Sequence, residues 1–160
     1  MFRSVVAGKQ LGEKDFTETK IEDLRKRDVS VVPFSVDSFG VFFAKQDTLV
    51  TVTRDLTKFL LFNLTTKEWS ELASDQDTFA SWQISRDRRY LYATTAGDNP
   101  KALRIRIADH AVDNITSLKS LRRVDDWYSG ISTGVAPDGS MLFTRDIGTQ
   151  EIYALTVKWP

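Results

Sequence analysis

The chain has 160 residues, 41% of them hydrophobic and 28% charged, a composition that indicates one globular domain with a true core and argues against disorder. Lysine plus arginine and aspartate plus glutamate number 22 each, so no overall positive charge draws the chain to nucleic acid or to an anionic membrane surface. The absence of cysteine excludes disulfides and thiolate metal ligands.

Short β-branched and aromatic runs, bounded by turn residues, predict strands along the whole chain and no amphipathic helix. In chain order the predicted strands are Arg3–Ala7, Phe16–Glu22, Val29–Val32, Phe39–Phe43, Thr48–Thr53, Phe59–Asn63, Glu68–Leu72, Ala80–Ile84, Tyr90–Thr94, Ala102–Ile107, Val112–Thr116, Ser132–Val135, Met141–Thr144 and Ile152–Lys158. The only stretch compatible with a turn or two of helix is Leu118–Val124.

A sequence pattern recurs every forty-odd residues. Leu24, Leu64 and Ile107 are 40 and then 43 residues apart, and each begins a short turn that leads into the next apolar run. A fixed period of about 40–50 residues built only of short strands is typical of a β-propeller, with one four-stranded blade per period. The pattern therefore predicts propeller blades.

The period divides residues 1–160 into a single β-propeller segment of four parts. These are a partial blade at 1–33, complete blades at 34–74 and 75–119, and a partial C-terminal blade at 120–160. The predicted fold class is thus all-β, a partial β-propeller with two complete four-stranded blades and two incomplete ones. Because an unclosed array leaves strand edges uncovered, we expect either missing blades of a longer protein or ring completion by a second copy.

Two stretches carry a related turn motif, Ser85-Arg86-Asp87-Arg88 and Ala136-Pro137-Asp138-Gly139. Glycine tolerates a positive φ and aspartate bonds the backbone two residues on, so both are favoured in hairpin turns. The first blade has the eroded counterpart Phe43-Ala44-Lys45-Gln46-Asp47. Asp47 and Arg88 occupy the glycine position of the two earlier stretches, so we expect those turns to be strained or to differ in conformation.

The segment from Trp82 to Tyr92 resembles the Trp-Ser-Pro-Asp-Gly-Lys type of motif of TolB-like, WD40-like β-propellers, and Val135–Ser140 resembles the same motif. The C-terminal stretch Asp146–Leu155 is similar to the end of propellers in acidobacterial proteins, where they are attached to winged-helix transcriptional regulators or serine/threonine kinases. The resemblance covers residues 20–160, and 3–19 more weakly. It implies a binding or sensory platform with no catalytic residues, which is an inference from fold alone.

No catalytic, metal or cofactor site is predicted from the residues. Gly130-Ile131-Ser132-Thr133-Gly134 matches Gly-x-Ser-x-Gly, but the residues that follow are a strand end and a turn where a nucleophile elbow needs a helix. The only histidine, His110, precedes Ser132, against the hydrolase order, and lies in a predicted exposed turn. Aspartates on turns, Asp87, Asp98, Asp109 and Asp138, are interpreted as turn formers.

The candidate site for a ligand or partner is the loop 119–130, with Asp125, Asp126, Trp127 and Tyr128. Acidic and aromatic side chains together suit a cationic ligand. The competing interpretation places Trp127 between blades, as it does for the tryptophans that recur at blade positions. These are Trp69, Trp82 and Trp159.

The predicted function is a non-catalytic protein- or ligand-binding propeller module, the C-terminal part of a bacterial signalling or transcriptional regulator. Its partner would be a protein or small ligand on a propeller face, without direct binding of nucleic acid. Two alternatives stay open: the propeller portion of a dipeptidyl peptidase IV-like hydrolase, and a truncated remnant without selected function. Nothing in the sequence resembles a secretion signal or a span of about 20 apolar residues, so we expect a cytoplasmic protein without a membrane span.

Overall fold

The computed structural model describes residues 2–8, 17–23, 27–33, 38–45, 47–122, 125–126, 130–131 and 133–149. These residues form strands and turns, and no helix is present among them. The strands are β1 (Phe2–Gly8), β2 (Thr17–Asp23), β3 (Asp28–Val31), β4 (Ser38–Lys45), β5 (Thr48–Thr53), β6 (Lys58–Asn63), β7 (Trp69–Ser74), β8 (Phe79–Ile84), β9 (Tyr90–Thr95), β10 (Lys101–Arg106), β11 (Val112–Ser117), β12 (Asp125–Asp126), β13 (Gly130–Ile131), β14 (Thr133–Val135) and β15 (Met141–Phe143).

The strands pair with their sequence neighbours into antiparallel sheets. The first sheet is β1-β2-β3, the second is β4-β5-β6-β7 and the third is β8-β9-β10-β11. Two hairpins follow, β12-β13 and β14-β15. The all-β architecture predicted from the strand runs is confirmed, and the second and third sheets each hold the four strands of a complete blade. The predicted last strand, Ile152–Lys158, lies outside the described residues.

The forty-residue repeat marks one recurring turn. Arg27, Lys67 and His110 all have a positive φ, of 53°, 64° and 62°, and they are 40 and 43 residues apart, as Leu24, Leu64 and Ile107 are. In the second and third sheets this residue closes the last hairpin, because the Lys67 amide donates to Asn63 O at 2.9 Å and the His110 amide to Arg106 O at 2.9 Å. The repeat therefore reflects a left-handed turn residue filled without glycine.

Of the two outcomes predicted for the Arg88 turn, the structure shows the same turn with a left-handed arginine. Arg88 has φ 58°, while Gly139 in the equivalent turn has φ 88°. The Arg88 amide donates to Ser85 O at 2.9 Å, and the Gly139 amide donates to Ala136 O at 2.9 Å. Both hairpins thus use the same turn, and only the later one has the residue type without a Cβ penalty.

The core lies between sheets. The larger cluster joins the second and third sheets, and it consists of Val50, Val52, Phe59, Leu61, Leu72, Ala73, Phe79, Leu91, Ala93, Leu103, Ile105 and Ile107. A smaller cluster joins the first and second sheets through Ile21, Val32, Leu49 and Phe62. Side chains of alternate residues on a strand point to opposite faces, so β5 and β6 each supply residues to both clusters. The sheets accordingly pack face to face, as propeller blades do.

Two tryptophans lie between sheets, as predicted. Trp82 packs against the larger cluster with its ring edge-on to Phe59, at 5.8 Å between centroids and 76° between planes. Trp69 packs against the smaller cluster and its indole Nε1 donates to Pro33 O at 2.9 Å. The remaining predicted core tryptophans, Trp127 and Trp159, lie outside the described residues.

Candidate functional site

Equivalent positions in the second and third sheets can be aligned through their turn residues. Leu61 lies six residues before Lys67, and Arg104 lies six residues before His110. Leu61 pairs across the sheet with Val50, and Arg104 pairs with Tyr92. The third sheet therefore has tyrosine and arginine where the second sheet has valine and leucine.

This difference in residue type changes the polarity of one interface between blades; we call such an interface a seam. Val50 and Leu61 are buried and belong to the apolar cluster between the second and third sheets. Tyr92 and Arg104 lie on the corresponding face of the third sheet, opposite to the face that carries Leu103. That face looks toward the β14-β15 hairpin, because β14 packs beside β8 and Thr133 Oγ1 lies 3.0 Å from Ser81 Oγ. The seam on this side is polar and aromatic.

A cleft of about 490 Å³ opens at this seam, and we call it the seam cleft. One wall is the third sheet and the turn between β8 and β9, and the other is the turn between β14 and β15. The lining residues are Ser85, Arg86, Asp87, Tyr90, Tyr92 and Arg104 on the first wall and Val135, Ala136, Pro137, Asp138 and Gly139 on the second. The volume falls within the range of small-molecule sites.

The guanidinium of Arg104 is fixed at the floor of the seam cleft. Its Nε and Nη2 atoms donate to Asp113 Oδ2 at 3.1 and 2.8 Å, and its Cζ lies 5.1 Å from the centre of the Tyr90 ring. The bonds to the Asp113 carboxylate, followed by smaller contributions from Tyr92, raise the pKa of Arg104 above its ordinary value. A stacked and paired guanidinium is pre-organised, so it loses little freedom when it binds a ligand.

Two carboxylates stand at the rim, one on each turn. Asp87 Oδ1 accepts hydrogen bonds from Ser85 Oγ at 2.6 Å and from the Arg89 amide at 3.1 Å. The Ser85 hydroxyl, more than any other group, lowers the pKa of Asp87. The Ser140 amide donates to Asp138 Oδ1 at 2.9 Å and is the main cause of the lowered pKa of Asp138. Both rim carboxylates are therefore ionised at neutral pH.

Three of the four turn aspartates, Asp87, Asp109 and Asp138, bond their own turns as interpreted from the sequence. Asp87 and Asp138 hold the turns described above, and Asp109 accepts from the Ala111 amide at 3.3 Å. Asp109 also accepts from Arg106 Nη1 at 2.7 Å. His110 is exposed in its turn, as expected. Within the described ranges, no three His, Cys, Asp or Glu side chains are grouped so that they could hold a metal ion.

The site predicted from the sequence is only partly within the described residues. Asp125 and Asp126 form β12, where they pair with Ile131 and Gly130. Trp127 and Tyr128 lie outside the described residues, so a site in the loop 119–130 stays a prediction. The seam cleft was missed by the sequence argument. The sequence does contain a sign of the cleft: the third sheet has Tyr92 and Arg104 at the positions that Val50 and Leu61 occupy in the second sheet. This difference becomes visible only once the two blades are aligned by strand register.

The Gly-x-Ser-x-Gly stretch lies across two short strands. Gly130 belongs to β13 and Gly134 to β14, whereas Ser132 is outside the described residues. After β14 the chain turns at residues 136–139 and enters β15. The described context is strand–turn–strand, which differs from the strand–turn–helix of a nucleophile elbow.

Comparison with known proteins identifies the fold. No protein-family model matches the sequence, and no curated protein matches it significantly. TolB from Acinetobacter baumannii superposes with a TM-score of 0.58 at 19% identity, over 82% of this chain and 33% of TolB. An oligogalacturonate lyase in complex with manganese gives 0.59 at 9% identity, over 88% of this chain and 45% of the lyase. A chain of the nidogen/laminin complex gives 0.53 at 13% identity, over 76% and 50%.

The fold shared with these structures, TolB among them, is the β-propeller. The predicted fold class, an all-β partial propeller, is confirmed by the sheets together with these neighbours. The chain spans about a third to a half of the solved propellers with which it superposes. At this level of identity the likeness concerns the fold, and function has to be argued from the site. In the part of the chain that the structure describes, no helix is long and apolar enough to cross a membrane.

Proposed function

We propose that this chain is a non-catalytic binding module whose ligand or protein partner sits in the seam cleft. The observation that supports the proposal is the exchange at one face of the third sheet. Leucine or valine at Arg104 and Tyr92 would extend the apolar packing found between the second and third sheets, where Val50 and Leu61 are buried. Natural sequences have residues that stabilise the fold less than an available alternative mainly at functional sites. The polar residues at this seam therefore favour a binding role.

The cleft also has the composition of a recognition site. It combines an aromatic floor, a fixed guanidinium, ionised rim carboxylates and an apolar stretch at Val135–Pro137. Binding sites for small molecules are mostly apolar, with a few polar groups held in place to orient the ligand. A rigid propeller suits this role, because it holds turn residues from two blades at a constant distance.

The test is a fragment screen on the isotope-labelled chain by two-dimensional NMR. The library contains neutral, cationic and anionic members, and we expect binders to shift the amides of residues 85–90 and 135–139. The control is the double variant Tyr92→Val/Arg104→Leu, which copies the second sheet and should remain folded while the shifts disappear. If no fragment shifts the cleft amides, or if the double variant binds equally well, the seam cleft is not the site.

For the whole protein we propose the C-terminal propeller of a bacterial signalling or transcriptional regulator, located in the cytoplasm. This proposal rests on the motif resemblance at Trp82–Tyr92 and Val135–Ser140. It predicts a winged-helix or kinase domain encoded in frame before residue 1. An α/β-hydrolase domain encoded in frame after residue 160 would instead favour the peptidase alternative. Some of the similar propellers are enzymes by name, the oligogalacturonate lyase among them. An assay of the complete gene product for lyase activity therefore tests whether the propeller is non-catalytic.

A further inference from the structure

The floor of the seam cleft offers hydrogen-bond donors. A guanidinium has five N–H groups, and Asp113 Oδ2 accepts one from Nε and one from Nη2, which leaves both N–H groups of Nη1 and one of Nη2. Tyr92 pairs with Arg104 across the sheet and also lines the cleft, and its hydroxyl can donate one hydrogen bond. The inward-facing groups of the floor therefore suit an acceptor.

The rim adds a second donor and its carboxylates are already engaged. Arg86 is exposed, and it has no hydrogen-bond or ion-pair partner among the residues that the structure describes. Asp87 and Asp138 each direct an oxygen to the amides of their own turns. A ligand with a negative group thus meets the guanidinium of Arg104 at the floor and that of Arg86 at the rim, and its negative group has to lie away from the ionised carboxylates of the same rim.

The opposite wall contributes apolar surface. Val135, Ala136 and Pro137 line the cleft across from the Tyr90 and Tyr92 rings, whose centroids are 6.4 Å apart. The cleft narrows where the last hairpin approaches, since a Cβ at Gly139 would lie 3.2 Å from the Tyr92 hydroxyl oxygen. A flat body fits between these walls better than a bulky one.

We propose that the seam cleft binds a small organic acid in which a carboxylate is attached to a planar apolar body. The carboxylate accepts from Arg104 Nη1 and the Tyr92 hydroxyl, and the planar body lies between the tyrosine rings and Val135–Pro137. The inference rests on the proposed binding function and specifies its ligand class. Charge-assisted hydrogen bonds from a pre-organised guanidinium provide the selectivity for an anion.

Benzoate is the probe, with benzamide as its neutral isostere and inorganic phosphate as an anion without a planar body. Dissociation constants of all three are measured by NMR titration on the full chain. We expect benzoate to bind with shifts at residues 85–90 and 135–139, and to bind at least about tenfold more tightly than either comparison compound, a difference of about 1.4 kcal/mol.

Variants then assign the selectivity to one side chain. Arg104→Leu should weaken benzoate binding at least about tenfold and leave benzamide binding nearly unchanged. Arg104→Lys, which keeps the charge and loses the planar fork, should give an intermediate loss. Lys58→Gln is the matched control on the second sheet, where Lys58 pairs with Glu71 at 3.0 Å, and it should leave benzoate affinity unchanged. Near-UV circular dichroism confirms that each variant is folded.

The outcomes separate this inference from the proposed function. If neutral fragments bind in the cleft while benzoate does not, or if benzamide binds as tightly as benzoate, the carboxylate assignment is overturned and the binding module stands. If Arg104→Leu folds and retains full benzoate affinity, the carboxylate assignment is likewise wrong. If neither the probes nor the fragment library shift the cleft amides, both proposals fall.

Discussion

Thr51 is a buried polar residue with an unsatisfied hydroxyl. It is 1% exposed in the middle of β5, and its Oγ1 has no hydrogen-bond partner among the described residues. Thr94, also buried, differs because its Oγ1 lies 2.7 Å from Ser81 Oγ. A buried hydroxyl without a partner loses its bonds to water and gains nothing in return, so it lowers the stability of the fold.

We expect Thr51→Val to stabilise the chain by about 1 kcal/mol, since the methyl group replaces the unsatisfied hydroxyl at nearly equal volume. Chemical denaturation followed by tryptophan fluorescence measures the change. The matched control is Thr94→Val, which removes a made hydrogen bond and should destabilise by about 1 kcal/mol. Equal losses in both variants would show that Thr51 has a partner after all.

Arg88 and Gly139 offer a second comparison, because they occupy the same position of equivalent turns with φ 58° and 88°. Arg88→Gly should stabilise by about 0.5–1 kcal/mol, as relief of the left-handed strain outweighs the extra entropy of the unfolded chain. Gly139→Ala should destabilise by about 1–2 kcal/mol. Thermal unfolding of both variants gives the answer, and a loss of stability in Arg88→Gly would contradict the strain.

At the scale of elements, the interface between the second and third sheets depends on a few large rings. Phe59 is 1% exposed and contacts Phe79 at 4.3 Å between ring centroids and Trp82 at 5.8 Å. Phe59→Ala should cost about 3–5 kcal/mol, because a cavity opens where two sheets meet. Trp82→Ala should cost less, since Trp82 is only partly buried. Urea unfolding tests both, and a cost below about 1 kcal/mol for Phe59→Ala would refute this packing.

The hairpin between β8 and β9 makes the fold sensitive to acid. In the folded chain the Ser85 hydroxyl and the Arg89 amide lower the pKa of Asp87 below its value in the unfolded chain. The resulting stabilisation is present above the unfolded value of about 4 and is lost as pH falls through the lower folded value. Asp87→Asn should therefore lower the melting temperature at pH 7 and leave it unchanged at pH 2.

Asp98 provides the control for that experiment, because it is exposed in the loop between β9 and β10. Asp98 lacks the hydrogen bond that Asp87 receives from the Ser85 hydroxyl, so Asp98→Asn should lower the melting temperature at pH 7 by less than Asp87→Asn does. If Asp87→Asn gives the same difference from the native chain at pH 7 and pH 2, the carboxylate of Asp87 does not stabilise the turn through its charge.

At the scale of the molecule, stability is unevenly distributed. The larger apolar cluster joins the second and third sheets, whereas the seam between the third sheet and the β14-β15 hairpin is polar and aromatic and contains a cleft. Amides of β5 and β9 should exchange with deuterium at least about a hundredfold more slowly than those of β14 and β15, because local opening requires little apolar exposure at the polar seam. Equal protection of all four strands would show that the seam is as strong as the core.

Much of the architecture was predictable from the sequence. The strand runs and the spacing of Leu24, Leu64 and Ile107 predicted the all-β fold, because strand pairing between chain neighbours is a local matter of alternation and turns. The exact bounds of β5, Thr48–Thr53, agree with the prediction. The short strands β12 and β13 were not predicted, since two-residue strands carry no periodic signal.

The candidate site, like the architecture, could be predicted from the sequence only in part. A turn such as 85–90 depends on residues adjacent in the chain, so the turns, the order of the strands and the unusual residue at Arg88 could be predicted from local sequence. The seam cleft needs Tyr92, Arg104 and the turn at 136–139 together, and packing between blades brings these side by side. The sequence could not show this, because the alternation of a strand indicates which residues share a face but not what that face meets.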